Sequence, residues 1–186
     1  MDNLQKLYMI MLGCKPEGRM TEQHDVFFGI GDSLKSLIPQ MNAFWPEAKG
    51  KLHIDAWREV SSVGNHKIEV VPKDSEPASL QKLFFFNLGG YKHNEFDEFH
   101  YKVLVTGETL SEAAKKSKTT AFFKHYGFKG ATSHIDEKYG VDIDDQYNVA
   151  DILSEDLKSR FQLKISESET IVEDEIHLGY FRFEKL

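Results

Sequence analysis

Leu4-Gln5-Lys6-Leu7 and Leu80-Gln81-Lys82-Leu83 are one tetrapeptide written twice, at an offset of 76 residues (80 minus 4). Read on at that offset, Leu12-Gly13 falls on Leu88-Gly89, Glu22 on Glu98, His24 on His100, Gly31 on Gly107 and Leu34 on Leu110. Asp32-Ser33 meets Glu108-Thr109, an exchange of like for like. About ten identities in roughly thirty ungapped positions is several times what chance supplies. With about five extra residues in the second segment, His53-Ile54-Asp55 meets His134-Ile135-Asp136. The expectation is a tandem duplication. Residues 1–76 form the first repeat unit, and residues 77–186 form the second with a C-terminal extension. The linker, Pro72 to Ser79, carries two prolines among polar residues, which marks a short exposed connection. Units this small and this closely tied are expected to pack together.

Composition narrows the function. The 186-residue chain is 40% hydrophobic and 28% charged, normal for a globular protein, and its net charge is -7. An acidic surface repels phosphate backbones and anionic headgroups, so neither nucleic acid nor a membrane is an expected partner. Self-association and a small-molecule ligand stay open. Cys14 is the one cysteine, which excludes an intrachain disulfide and a thiolate-rich zinc site and fits a cytoplasmic setting. No apolar run approaches the roughly 20 residues of a spanning helix. Met11-Leu12-Gly13-Cys14 has the outline of a lipoprotein cleavage site. The counterpart of Leu7 to Gly13, however, is Leu83 to Gly89, which lies mid-chain and cannot be a signal. Both are read as strands.

Each segment reads β-β-α-β-β. The apolar runs Leu7 to Leu12 and Leu83 to Leu88 are buried strands ending at glycine. Second strands run through Val26 to Ile30 and Lys102 to Thr106. In the first helix Leu34, Leu37, Ile38, Met41, Phe44 and Trp45 form one face, with Asp32 or Ser33 as N-cap. Pro39 should kink or shorten it. Thr109-Leu110-Ser111-Glu112 is a capping box for the second helix, whose apolar face uses Leu110, Ala113, Ala114, Ala121 and Phe122. Third strands carry His-Ile-Asp, and fourth strands run at Lys67 to Val71 and Phe161 to Ile165. Glu175 to Glu184 is one more strand, after an acidic run read as a solvated hairpin tip. The fold class is α+β with mainly antiparallel sheet.

Leu-Gly, then Glu-x-His (Glu22 to His24, Glu98 to His100), then Gly-Asp-Ser-Leu or Gly-Glu-Thr-Leu, then His-Ile-Asp, resembles an uncharacterised bacterial family known as domain of unknown function 1543. The resemblance covers most of residues 4–150. It implies the fold unit, present here as two tandem copies, and a bacterial, cytoplasmic setting. It implies no catalytic residue.

The candidate cluster is Glu22, His24, His53 and Asp55, with Glu98, His100, His134 and Asp136 as its twin. Residues two apart on a strand face one side, so each His-x-Asp pair shares a face. Two imidazoles with carboxylates suit zinc, iron or manganese, and a histidine held by an aspartate is also a general-base arrangement. A histidine paired with a carboxylate can equally brace a strand. Bracing is the first reading, metal binding the second and acid–base chemistry the third. No metal is assigned and no motif specifies a cofactor. The corresponding functions are a non-catalytic binding or assembly protein and, as the alternative, a metal-dependent or His/Asp acid–base enzyme of hydrolase type. Weaker signals are Cys14, the Gly29-Ile30-Gly31 stretch as an anion cradle, Gly89-Gly90 as a turn, and Trp57 as core or pocket wall.

Overall fold

The computed structural model describes residues 4–76, 80–91, 94, 96–126 and 142–186. Its strands are β1 Lys6–Cys14, β2 Gln23–Gly31, β3 His53–Glu59, β4 Ser62–Val63, β5 His66–Pro72, β6 Lys82–Tyr91, β7 Glu98–Gly107, β8 Asp142–Asn148, β9 Phe161–Glu167 and β10 His177–Arg182. The helices are α1 Ile38–Phe44, α2 Leu110–Tyr126, α3 Val149–Ile152 and α4 Glu155–Arg160. The protein is α+β, and the strand pairings of the described residues are antiparallel. The chain forms two compact units, Met1–Pro77 with Leu153–Leu186, and Ala78–Ile152. No helix among the described residues is long and apolar enough to cross a membrane.

The first unit holds a sheet of order β10-β3-β1-β2. Alternate residues of β1, namely Tyr8, Ile10, Leu12 and Cys14, point to one face and pack with Phe27, Leu37, Met41 and Ile54. Leu34 and Ile38 close over them from the helical segment. Pro39 does not kink α1; it stands in the first turn, where a missing N–H costs nothing. A 3-10 turn, Lys35–Leu37, leads into α1, and the Ser36 N–H donates to Ser33 Oγ at 3.3 Å.

The second unit holds a sheet of order β7-β6-β8. Phe84, Phe86 and Leu88 alternate on the face that meets Val103, Val105 and Ala113 of α2. The capping box forms: the Glu112 N–H donates to Thr109 Oγ1 at 3.2 Å, and Glu112 Oε2 accepts from the Glu108 N–H at 3.1 Å. The side chains of Ala121 and Phe122 lie outside the described residues.

Two expectations change. Among the described residues the first segment holds β1, β2, α1, β3, β4 and β5 and the second β6, β7, α2, β8, α3, α4, β9 and β10, and neither β5 nor β9 joins the sheet that holds its segment's first strands. β5 and β9 pair with each other in a sheet of order β4-β5-β9, where the buried Ile68 stands opposite the buried Ile165. Residues 153–186 therefore pack with the first unit, and the compact units divide the chain differently from the repeat segments 1–76 and 77–186. The acidic run after β9 is also not merely solvated. Asp174 accepts from Ser61 Oγ at 2.6 Å and from the Ser61 and Ser62 N–H groups, anchoring the run to the start of β4.

Candidate functional site

The first site lies on the face of β1 opposite the helical core. Gly13 stands across from His24 on β2 and from His53 on β3, so all three positions share that face. Asp55 reaches it through a bulge. Met11 pairs with Ala56 and Leu12 with Ile54, which leaves Asp55 as the extra residue. A bulge re-aims a side chain in this way. Gly13 is required by close approach, because a Cβ there would collide with His53 Nε2 and Asp55 Oδ2 and sit 2.9 Å from His53 Cε1.

Around that gap the four candidate residues of the first segment converge. His53 Nε2 is 3.0 Å from Glu22 Oε1 and 3.3 Å from Asp55 Oδ1. His24 Nε2 is 3.2 Å from Asp55 Oδ2 and 3.9 Å from Glu22 Oε2. The His53 side chain is 7% exposed, while those of Glu22 and His24 are each 43% exposed. The cluster thus has a buried floor and an open mouth. His53 Nε2 and Asp55 Oδ2 are buried and make no hydrogen bond. The carboxylate oxygens are near His53 Nε2 but off its donor axis.

Pair by pair, the contacts of 3.0 to 3.3 Å are of the size found between neighbouring ligand atoms on one ion, with each carboxylate turning one oxygen to each histidine. Bonds of about 2.1 Å separate adjacent ligand atoms by roughly 3.0 Å in an octahedron and about 3.4 Å in a tetrahedron. The two carboxylates also supply the charge that a divalent cation balances. Closing the back of the site, the Tyr180 ring of β10 lies 4.3 Å from the His53 ring.

The second unit repeats part of this. Gly89 stands across from His100 on β7, and a bulge in β8 makes Asp144 the extra residue between Ile143 and Asp145. His100 Nε2 is 3.2 Å from Asp144 Oδ2 and 3.8 Å from Glu98 Oε2, and ligand atoms of the three lie within 4.8 Å of one another. A Cβ on Gly89 would strike the Asp144 carboxylate. His134 and Asp136 fall outside the described residues. The residues at the register positions of His53-Ile54-Asp55 are Asp142-Ile143-Asp144, so Asp144 takes the place expected for Asp136. The triplet His134-Ile135-Asp136 is fully identical to His53-Ile54-Asp55, whereas the structural match at 142–144 keeps only Ile-Asp and needs 13 further residues (142 minus 53, less 76). The glycines at 13 and 89 were visible in the repeat, as was Asp144 within an acidic triplet, but neither announced its role.

The weaker candidates are structural. Gly31 is closely packed, since a Cβ would meet Ser36 Oγ at 2.6 Å and Leu37 Cδ2 at 2.8 Å; this serves packing of the helical turn on β2. Gly89 and Gly90 lie inside β6 and make no turn. Trp57 packs against the core edge and stacks on His177, with ring centroids 3.9 Å apart. Cys14 points into the core and is 1% exposed. Burial pushes its thiol up, and the Glu22 charge adds to that, so it stays protonated. Cys14→Ser buries a hydroxyl and is expected to lower stability by about 1–3 kcal/mol. Denaturant unfolding of the parent and the variant checks this.

The fold class is α+β. Residues 19–70, which hold Glu22, His24, His53 and Asp55, match the model of the family described as Domain of Unknown Function (DUF1543). In three dimensions the chain is similar to the crystal structure of a protein Il1583 from Idiomarina loihiensis, at TM-score 0.53 and 16% identity, covering 95% of this chain and 96% of that one. That likeness concerns the fold alone. No curated protein matches the chain.

Proposed function

We propose that the chain is a divalent-metal-binding protein, with its principal site formed by Glu22, His24, His53 and Asp55. The observation that carries this reading is the buried His53 Nε2, which faces two carboxylates without hydrogen bonding to either. A bracing histidine needs that bond, because an unsatisfied buried polar atom costs about 1–3 kcal/mol. A general-base pair needs the same bond to fix the imidazole tautomer. A metal needs instead a free lone pair on nitrogen and oxygens at ligand spacing. Zinc, iron and manganese all suit two imidazoles with two carboxylates.

Glu98, His100 and Asp144 form a second site, which among the described residues has one imidazole and no counterpart of the buried His53. The two segments are, in this proposal, tandem copies that began with equivalent sites. The matching positions of glycine, histidine and bulged aspartate support that descent. The role is a binding one, in a cytoplasmic setting that the single buried cysteine supports. The open mouth keeps a metal-dependent activity as the second reading.

Zinc and manganese titrations of chelator-stripped protein test the proposal. One equivalent should bind tightly, and His53→Ala should weaken that binding at least about a hundredfold. Stripped, folded protein that binds neither ion more tightly than His53→Ala does would overturn it.

A further inference from the structure

Among the described residues the first site has one element that the second lacks. Beyond β3 the sheet continues with β10, whereas in the second unit β8 is the last strand among the described residues. The pairing of β10 with β3 is irregular at one place. Leu178 pairs with Ala56 and Phe181 with Ile54, so Gly179 and Tyr180 together face Asp55. Asp55 is therefore flanked by a register break on both sides, towards β1 and towards β10. Gly179 has φ +147°, a conformation that L side chains rarely adopt. The result is that the Tyr180 ring lies on His53, tilted by 35° at 4.3 Å.

His53 thus stands between two walls. On the β1 side, the missing side chain of Gly13 lets the imidazole lean towards Glu22 and Asp55. On the β10 side the Tyr180 ring, itself 62% exposed, lies against the imidazole. From this we infer that Tyr180 is a positioning residue for the first site, acting through its ring, and that Gly179 permits its placement. This rests on the metal-binding reading for its consequence, but not for the orientation of His53. Hydrogen-bonded supports of a metal-binding histidine alter affinity by about 10–100-fold when removed, and a ring contact is expected to fall at the lower end of that range. The inequality of the two sites then has a second source besides ligand count: the C-terminal strand stiffens one of them.

The test uses the full chain with Tyr180→Ala, Tyr180→Phe and, as a control on the same strand, the exposed Leu178→Ala. Zinc affinity is measured by chelator competition, and the His53 imidazole is followed by nitrogen NMR in metal-free protein. Tyr180→Ala should lose about tenfold in affinity and broaden the His53 ring-nitrogen resonances. Tyr180→Phe should stay within about threefold of the parent, as should Leu178→Ala. Unchanged His53 resonances in folded Tyr180→Ala would overturn the inference, and so would equal losses in Tyr180→Phe. If the parent binds no metal, the proposed function fails alone, and the metal-free spectra still decide the role of Tyr180.

Discussion

Gly13→Val should abolish metal binding at the first site and destabilise the first unit by about 3 kcal/mol, the upper end of ordinary overpacking. The new side chain would enter space held by His53 Nε2 and Asp55 Oδ2. The imidazole has little room to retreat, because its side chain is 7% exposed and packed in the floor of the site. The matching change at Gly89 supplies the control. There the obstacle is the Asp144 carboxylate, whose side chain is one-third exposed and can rotate into solvent. Gly89→Val should therefore cost well under about 1 kcal/mol. Denaturant unfolding and zinc titration of both variants give the comparison. Parent-like zinc affinity in Gly13→Val would refute the close-approach role given to this glycine.

Alkaline pH should weaken the first unit through Tyr8. This residue is 2% exposed, and its hydroxyl donates to Glu59 Oε1 at 3.3 Å. Burial, then the Glu59 charge, pushes its pKa up from 10.0 to about 12. The folded protein thus holds the phenol proton more tightly than the unfolded chain does. Below pH 10 that preference contributes in full. Between pH 10 and about 12 the unfolded state releases the proton first, so stability falls as pH rises, and above the folded pKa the contribution is gone. The amount is roughly 3 kcal/mol. Tyr8→Phe removes the group, so its urea midpoint should fall less steeply from pH 9 to 11.5 than the parent's. Parallel slopes would show that Tyr8 does not titrate in this way.

Much of the fold is written in local pattern. The alternation of Tyr8, Ile10, Leu12 and Cys14 forces one face of β1 inward, and Thr109 with Glu112 starts α2 where the capping box stands. The meeting of Glu22, His24, His53 and Asp55 was likewise legible as a shared-face pattern. Pairing at a distance was not. Nothing local tells β9 to choose β5 over the sheet of its own segment, because edge strands of similar apolar character compete and only the assembled cores discriminate. The place of Asp144 at the second site was not legible either. A bulge changes which residue faces a site without changing composition.

The pairing of β5 with β9 and of β3 with β10 has a consequence for synthesis on the ribosome. All strands of the second unit emerge before the first unit has its full complement, since residues 161–182 supply two of its strands. The nascent first unit must wait with Ile68 uncovered and the outer edge of β3 unpaired while the intervening unit folds. A nascent chain stalled after Ile152 would carry the Gly13, His24 and His53 side of the first site without Tyr180. Full ligand positioning would be among the last events of biogenesis, and a prematurely terminated product would present an adhesive sheet edge for quality control to detect.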